Sequence, residues 1–248
     1  MNHGGTEARR RARSIAPRGK KHCKKEFRSE IPWIDERASV SLCLRGKNRI
    51  ERKMEAFKIS VKLFAATDDF GHAEFVPVFH RWIQEHVLDD HLVIDVADYA
   101  HVPAGPGSLL VTREANIHMD RGNDRLGLLY FRKTPIAGSF ADRLRGVLAS
   151  TLKVASLFEQ EPAVSGRLKF RTDEISIRLN DRLLAPNTPE TLTAVLPDLQ
   201  KVTGELFGAG KASVTKVGQA REVFEVKVAA PSNASVSELL AKIAPVAV

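Results

Sequence analysis

The sequence predicts an α+β protein: antiparallel sheet with helices on one face, organised as two ferredoxin-like halves, βαββαβ followed by βαββα. Three observations carry this. The clear strands alternate between one apolar and one polar face, as half-buried antiparallel strands do. The intervening segments repeat apolar residues at helical spacing behind recognisable caps. A parallel doubly wound sheet would need continuously apolar strands, and the chain has none.

The elements follow in order. Phe57, Ile59, Val61 and Leu63 alternate with Lys58, Ser60 and Lys62, which gives a strand over 57–64. Residues 74–87 read as a helix burying Phe75, Val78, Phe79, Trp82 and Ile83, with Pro77 tolerated in its first turn. Residues 92–96 are a short apolar run, and Pro103–Gly107 is a loop signal. Residues 109–120 read as the longest strand, returning through Arg121–Asp124 into a partner over 127–133. Leu109, Val111, Ala115, Ile117 and Met119 are expected on its apolar face, and only Arg113 breaks the pattern. Ser139 caps a helix reaching about Glu159. Residues 168–171 and 174–180 predict a second hairpin or two adjacent strands. Thr188-Pro189 opens a helix that Gly208 closes. Strands over 211–217 and 223–229 precede a final helix, Val236–Ile243, behind a Ser235/Glu238 capping box. Ile175–Leu192 and Glu225–Leu240 both run from a strand into a capped helix, a faint internal echo of duplication.

The charge is unevenly placed. The 248 residues carry a net +8, yet residues 1–53 alone carry +10 and the rest −2. That first stretch includes Arg9–Arg13 and Lys20–Lys25, lacks any hydrophobic period, and has no apolar signal segment. It reads as a disordered or non-native basic extension, with Met54 as the initiator of the folded chain. The first half is then expected over 54–165 and the second over 166–248. Both cysteines, Cys23 and Cys43, lie in the extension, which excludes a disulfide scaffold or a thiolate site in the body. A cysteine-free body fits a reducing cytoplasm, and no apolar run has the roughly 20 residues of a membrane helix.

Chemistry concentrates in His86–Asp120. The candidate ligand or metal site is Asp95, Asp98, His101, Glu114 and His118. Asp98 and His101 lie three apart, and Glu114, Asn116 and His118 fall at spacing two on one predicted strand face, beside Lys58, Lys62 and Arg132. Two carboxylates and one or two histidines suit a divalent cation or an acid–base pair. A water-facing strand next to an acidic loop has the same composition, so the pattern alone does not select chemistry. No HExxH or paired CxxC spacing occurs, Ala104–Ser108 precedes a strand rather than a helix, and no Gly-x-Ser-x-Gly elbow exists. A secondary candidate is Asp181 with Arg182, in the polar connection before the third helix.

Three blocks, Phe75–Gln84, Ile94–Asn116 and Asn180–Leu192, carry a resemblance. Together they resemble an uncharacterised family of bacterial hypothetical proteins over Met54 to the C-terminus. The resemblance implies no activity, cofactor or catalytic residue. The leading expectation is a cytoplasmic ligand-binding or protein-interaction module using the open sheet face, toward a small ligand or another copy of itself. The alternative is a metal-dependent or acid–base enzyme using the five residues above. Nucleic-acid binding through the basic arm is the weaker reading, since the 54–248 body has no positive excess.

Overall fold

The computed structural model describes residues 54–99, 101–102 and 105–243. The expectations for residues 1–53 therefore lie outside the described residues. The described chain belongs to one compact unit, Ile50–Val248.

Eight strands and four α-helices alternate along it. They are β1 (Ile59–Ala65), α1 (Phe75–Gln84), β2 (Val93–Asp98), β3 (Ser108–Thr112), β4 (Ala115–Asp120) and β5 (Gly127–Arg132), then α2 (Phe140–Gln160), β6 (Phe170–Leu179), α3 (Pro189–Phe207), β7 (Ser213–Val217), β8 (Phe224–Ala229) and α4 (Val236–Ile243). All eight strands form one sheet in the order β2-β3-β4-β5-β1-β6-β8-β7. Every neighbouring pair is antiparallel. The α+β class with an antiparallel sheet thus matches the sequence reading.

The helices share one face. Val61 of β1 stands opposite Tyr130 of β5 and Ile177 of β6, and Val226 of β8 continues that row. These side chains join Leu144, Val147, Phe158, Val195, Leu199 and Leu239 of the helices in one apolar core. Phe158 of α2 makes edge-on contacts with Phe75 and Phe79 of α1, which ties the two helices together over the sheet. Ser139 caps α2, accepting the Asp142 amide while Asp142 returns to the Ser139 amide. Gly208 ends α3 with φ +92°, a conformation that favours glycine. Helix α1 stops short of its predicted end because His86 turns to φ 52°.

Two strand expectations are corrected. Residues 109–120 are not one strand but two, β3 and β4, folded on each other at Arg113-Glu114. Thr112 Oγ1 closes that turn, accepting the Ala115 amide at 2.9 Å and donating to the Ala115 carbonyl at 2.8 Å. The fold-back resets the alternation, so Ala115, Ile117 and Met119 enter the core as expected, joined from β3 by Leu110. Leu109 and Val111 instead share the helix-free face with His118 and Asn116, their register partners. Residues 168–171 and 174–180 contribute one continuous strand, β6, not a hairpin. The register shift between Leu63 and Ala65 of β1 absorbs the charged Arg171–Glu174 stretch that resembles a turn.

Candidate functional site

The sequence-predicted residues scatter. Asp95 lies on the edge strand β2, where its carboxylate accepts the Val96 amide at 2.8 Å. Asp98 pairs in register with Ser108, whose side chain points to the helix side and donates to the His72 carbonyl. His101 is exposed in the β2–β3 loop and stacks on Tyr99, with ring centroids 6.4 Å apart. Glu114 is a hairpin-turn residue. One oxygen accepts the Leu92 amide at 2.8 Å and the other accepts Arg113 Nε at 2.7 Å, fastening the entry of β2 to the β3–β4 turn. Burial pushes the Glu114 carboxyl up, but the Leu92 amide and Arg113 outweigh it and hold it below the usual glutamate range.

His118 alone of the five is buried on the helix-free face. Asp95 shares that face but stands two strands across, about 10 Å away in sheet spacing, and Glu114 is four residues along, about 13 Å. Among the described residues, no group of three or more His, Cys, Asp or Glu side chains is placed to hold a metal ion. Arg132 is no neighbour of His118 either: it pairs with Ala115, and its Nε turns to the Thr134 carbonyl. Of the secondary pair, Asp181 shapes its own turn, accepting the Leu184 and Ala185 amides through its carboxylate and carbonyl. Arg182 is exposed.

What the fold does assemble on the helix-free face is centred on β4, β5 and β1. Register places Leu109, His118, Leu129, Lys62 and Ser176 in one row across five strands. Val111, Asn116, Phe131, Ser60 and Arg178 form the next. Lys62 is 1% exposed. Its Nζ meets three acceptors, Asp120 Oδ1 at 2.5 Å, the Gly122 carbonyl at 3.1 Å and the Arg125 carbonyl at 3.0 Å. The two carbonyls accept its hydrogen bonds, and the Asp120 carboxylate balances its charge as an ion pair. Gly127 makes room for it, since a Cβ there would lie 2.8 Å from Lys62 Cε and 2.5 Å from the Leu63 carbonyl oxygen. Burial lowers the Lys62 pKa, with Asp120 opposing.

His118 is 8% exposed, and desolvation lowers its pKa against the pull of Asp120 and the nearby Pro106 carbonyl. Its Nδ1 and the Asn116 Oδ1 are buried without a hydrogen-bond partner. Leu109, Val111, Leu129 and Phe131 surround these two polar groups, and none of the four belongs to the helix-side core. Toward β6 and β8 the face becomes ionic and self-paired. Arg125 and Lys227 both engage Glu174, and Arg178 and Ser176 both engage Glu225.

Sequence reasoning missed two other assemblies. His91 bridges Asp90 Oδ1 and Tyr130 OH, each at 2.8 Å. The carboxylate accepts only, so Nδ1 donates to it, and Nε2 shares a hydrogen bond with the tyrosine hydroxyl. This carboxylate–imidazole–hydroxyl chain satisfies Tyr130 inside the core, where the hydroxyl is sealed from substrate. The two amide N–H groups of Asn187, read as a turn residue, are shared among the Val217, Gln219 and Val223 carbonyls, and its Oδ1 accepts from Lys216, locking the β7–β8 hairpin. The adjacent Asp90-His91 was the signal available for the first; nothing local marks the second.

Comparison of the chain with protein-family models, with curated proteins and with solved structures found no match in any of the three.

Proposed function

We propose that the protein is a binding module whose working surface is the helix-free sheet face over β3, β4 and β5, taking a small ligand or another subunit. One observation carries the reading: the apolar side chains Leu109, Val111, Leu129 and Phe131 lie outside the helix-side core and flank in register His118 and Asn116, whose buried Nδ1 and Oδ1 have no hydrogen-bond partner. A buried acceptor left unpaired costs about 1–3 kcal/mol, which a donor recovers once the flanking apolar side chains part to admit it. Apolar walls around a few convergent polar atoms are the usual composition of a binding surface. Sedimentation of the full chain, with a thermal-shift screen against a broad metabolite set, tests this. A monomer that no compound stabilises would remove the proposal. Asn116→Leu should blunt any shift found, because it deletes the acceptor while keeping the bulk.

We also infer that the fold is a duplication of a ferredoxin-like βαββα half, with β1, α1, β4, β5 and α2 in one copy and β6, α3, β7, β8 and α4 in the other. The supporting observation is the sheet order. Read outward from the β1–β6 contact, it runs β1-β5-β4 on one side and β6-β8-β7 on the other. The β2–β3 hairpin is then an insertion in the first copy. Failure of the two sets of Cα atoms to superpose element for element would refute it.

A further inference from the structure

Most charges on the helix-free face come in pairs. Lys62 meets Asp120, Arg113 meets Glu114, Arg125 and Lys227 share Glu174, and Arg178 meets Glu225. Two lysines depart from this. Lys58 and Lys133 each lie two residues beyond the Ser60–Phe131 register pair, so antiparallel pairing brings them to the same end of neighbouring strands. Alternation keeps them on the face that carries Ser60, Lys62, Leu129 and Phe131. Backbone pairing reaches both positions: the Asn180 amide donates to the Lys58 carbonyl at 2.8 Å, and the Lys133 amide to the Glu114 carbonyl at 2.9 Å.

Neither lysine makes a close ion pair among the described residues. The Lys58 ammonium sits 5.8 Å from the Phe57 ring centre. On its β6 side, Asn180 gives its side-chain amide to Ser60 Oγ and the Lys58 carbonyl. On the β4 side of Lys133, Glu114 is already committed to Arg113 and the Leu92 amide. Burial lowers the Lys133 pKa, with Glu114 opposing. Like charges on neighbouring strands repel, and an anion between them removes the repulsion. Beside the pair lies the apolar patch, where half-buried Val111, Leu129 and Phe131 flank Asn116. Asp95 stands at the far side of that patch, in the same row as Val111, with its carboxylate on the Val96 amide. The patch therefore has a cationic end at β5 and β1 and an anionic end at β2.

Resting on the reading of this face as a binding surface, we propose that its ligand is a small organic acid, with a flat apolar body on Leu129 and Phe131 and a carboxylate between the ammonium groups of Lys58 and Lys133. The lysine pair lies two residues, about 7 Å, along from Phe131, a span that suits a two-ring body. Asp95 repels the acid group at the other end and so sets one orientation.

Isothermal titration of the full chain with three probes of one shape tests this: naphthalene-2-carboxylate, the neutral 2-naphthylmethanol and the cationic 2-naphthylmethylamine. The acid should bind about fivefold tighter than the alcohol or better, and the amine weakest. Lys58→Gln with Lys133→Gln should bring the acid down to the alcohol's affinity. Lys201→Gln, an exposed lysine on α3, should leave the preference intact. Equal binding of acid and alcohol, or a preference that survives the double change, overturns the assignment; the face itself then stands as a binding surface if Leu129→Arg abolishes the binding. No binding by any of the three probes refutes the small-ligand reading of the face, and the assignment falls with it.

Discussion

Replacing Lys62 by methionine removes the ammonium while keeping most of the stem beside Gly127. The carbonyls of Gly122 and Arg125 then lose their donor, and Asp120 loses its ion-pair partner. Asp120 is itself buried, so its carboxylate would remain in a dry site without its counter-ion. Breaking a buried pair from one side typically costs about 3–5 kcal/mol. Urea unfolding followed by tryptophan fluorescence should therefore show the midpoint falling by about 1.5–2.5 M at a slope near 2 kcal/mol per M. The double change Lys62→Met with Asp120→Leu should recover part of the loss, because no buried charge is left, although the two carbonyls stay unpaired. The pH dependence supplies an independent check. Burial lowers the folded-state pKa of Lys62 below its ordinary 10.5. Between those two values the unfolded chain holds more protons, so stability rises with pH across that window. Lys62→Met should lack that alkaline gain. A cost under about 1 kcal/mol, with the alkaline gain intact, would show the amine to be solvated and would refute the argument.

Three further outcomes follow from single residues. Glu114→Ala should cost about 1–2 kcal/mol by stripping the Leu92 amide of its acceptor; because the Glu114 carboxyl titrates below its usual range, the wild type should lose this contribution as pH falls through that lowered value, and acid titration of unfolding should be flatter in the variant. Asn187→Ala removes two N–H donors shared among three carbonyls and one acceptor, so it should cost about 2–4 kcal/mol in denaturant and speed amide exchange in β7 and β8 before other strands. Gly107→Ala places a Cβ 2.2 Å from the Met119 carbonyl oxygen at φ +68°; a melting-temperature drop matching about 3 kcal/mol is expected, and a neutral result would mean that this turn yields easily.

The alternation of Ile59, Val61 and Leu63 was enough to identify β1, and capping chemistry located α2, α3 and α4 nearly to the residue. Both signals are local, set by neighbours within a few positions. The failure at 109–120 had a local cause too. Arg113-Glu114 turns the chain without glycine or proline, using Thr112 Oγ1 as the closing group, so the usual punctuation was absent and Arg113 was the single misfit. That one missed turn reversed the assignment of Leu109 and Val111, and with them the character of the helix-free face. The site was less legible for a different reason. Lys62 meets Asp120 across 58 positions and His91 meets Tyr130 across 39, and only sheet register brings such pairs together.

The same register explains why binding should favour one half of the helix-free face. Toward β6 and β8 each charge already has its opposite: Glu174 lies between Arg125 and Lys227, and Glu225 joins Arg178 to Ser176. A ligand there must displace bonds it can at best replace, so its net gain is small. Over β3, β4 and β5 there is little to displace, because Leu109, Val111, Leu129 and Phe131 make no polar contacts and the buried atoms of Asn116 and His118 lack partners. Covering that region removes apolar surface from water, and parting its side chains to reach the two buried atoms supplies the missing hydrogen bonds. An arginine at position 129 in place of leucine separates the two halves: it should abolish binding on the β3–β5 side while leaving the Arg178–Glu225 pair, two strands beyond, unchanged.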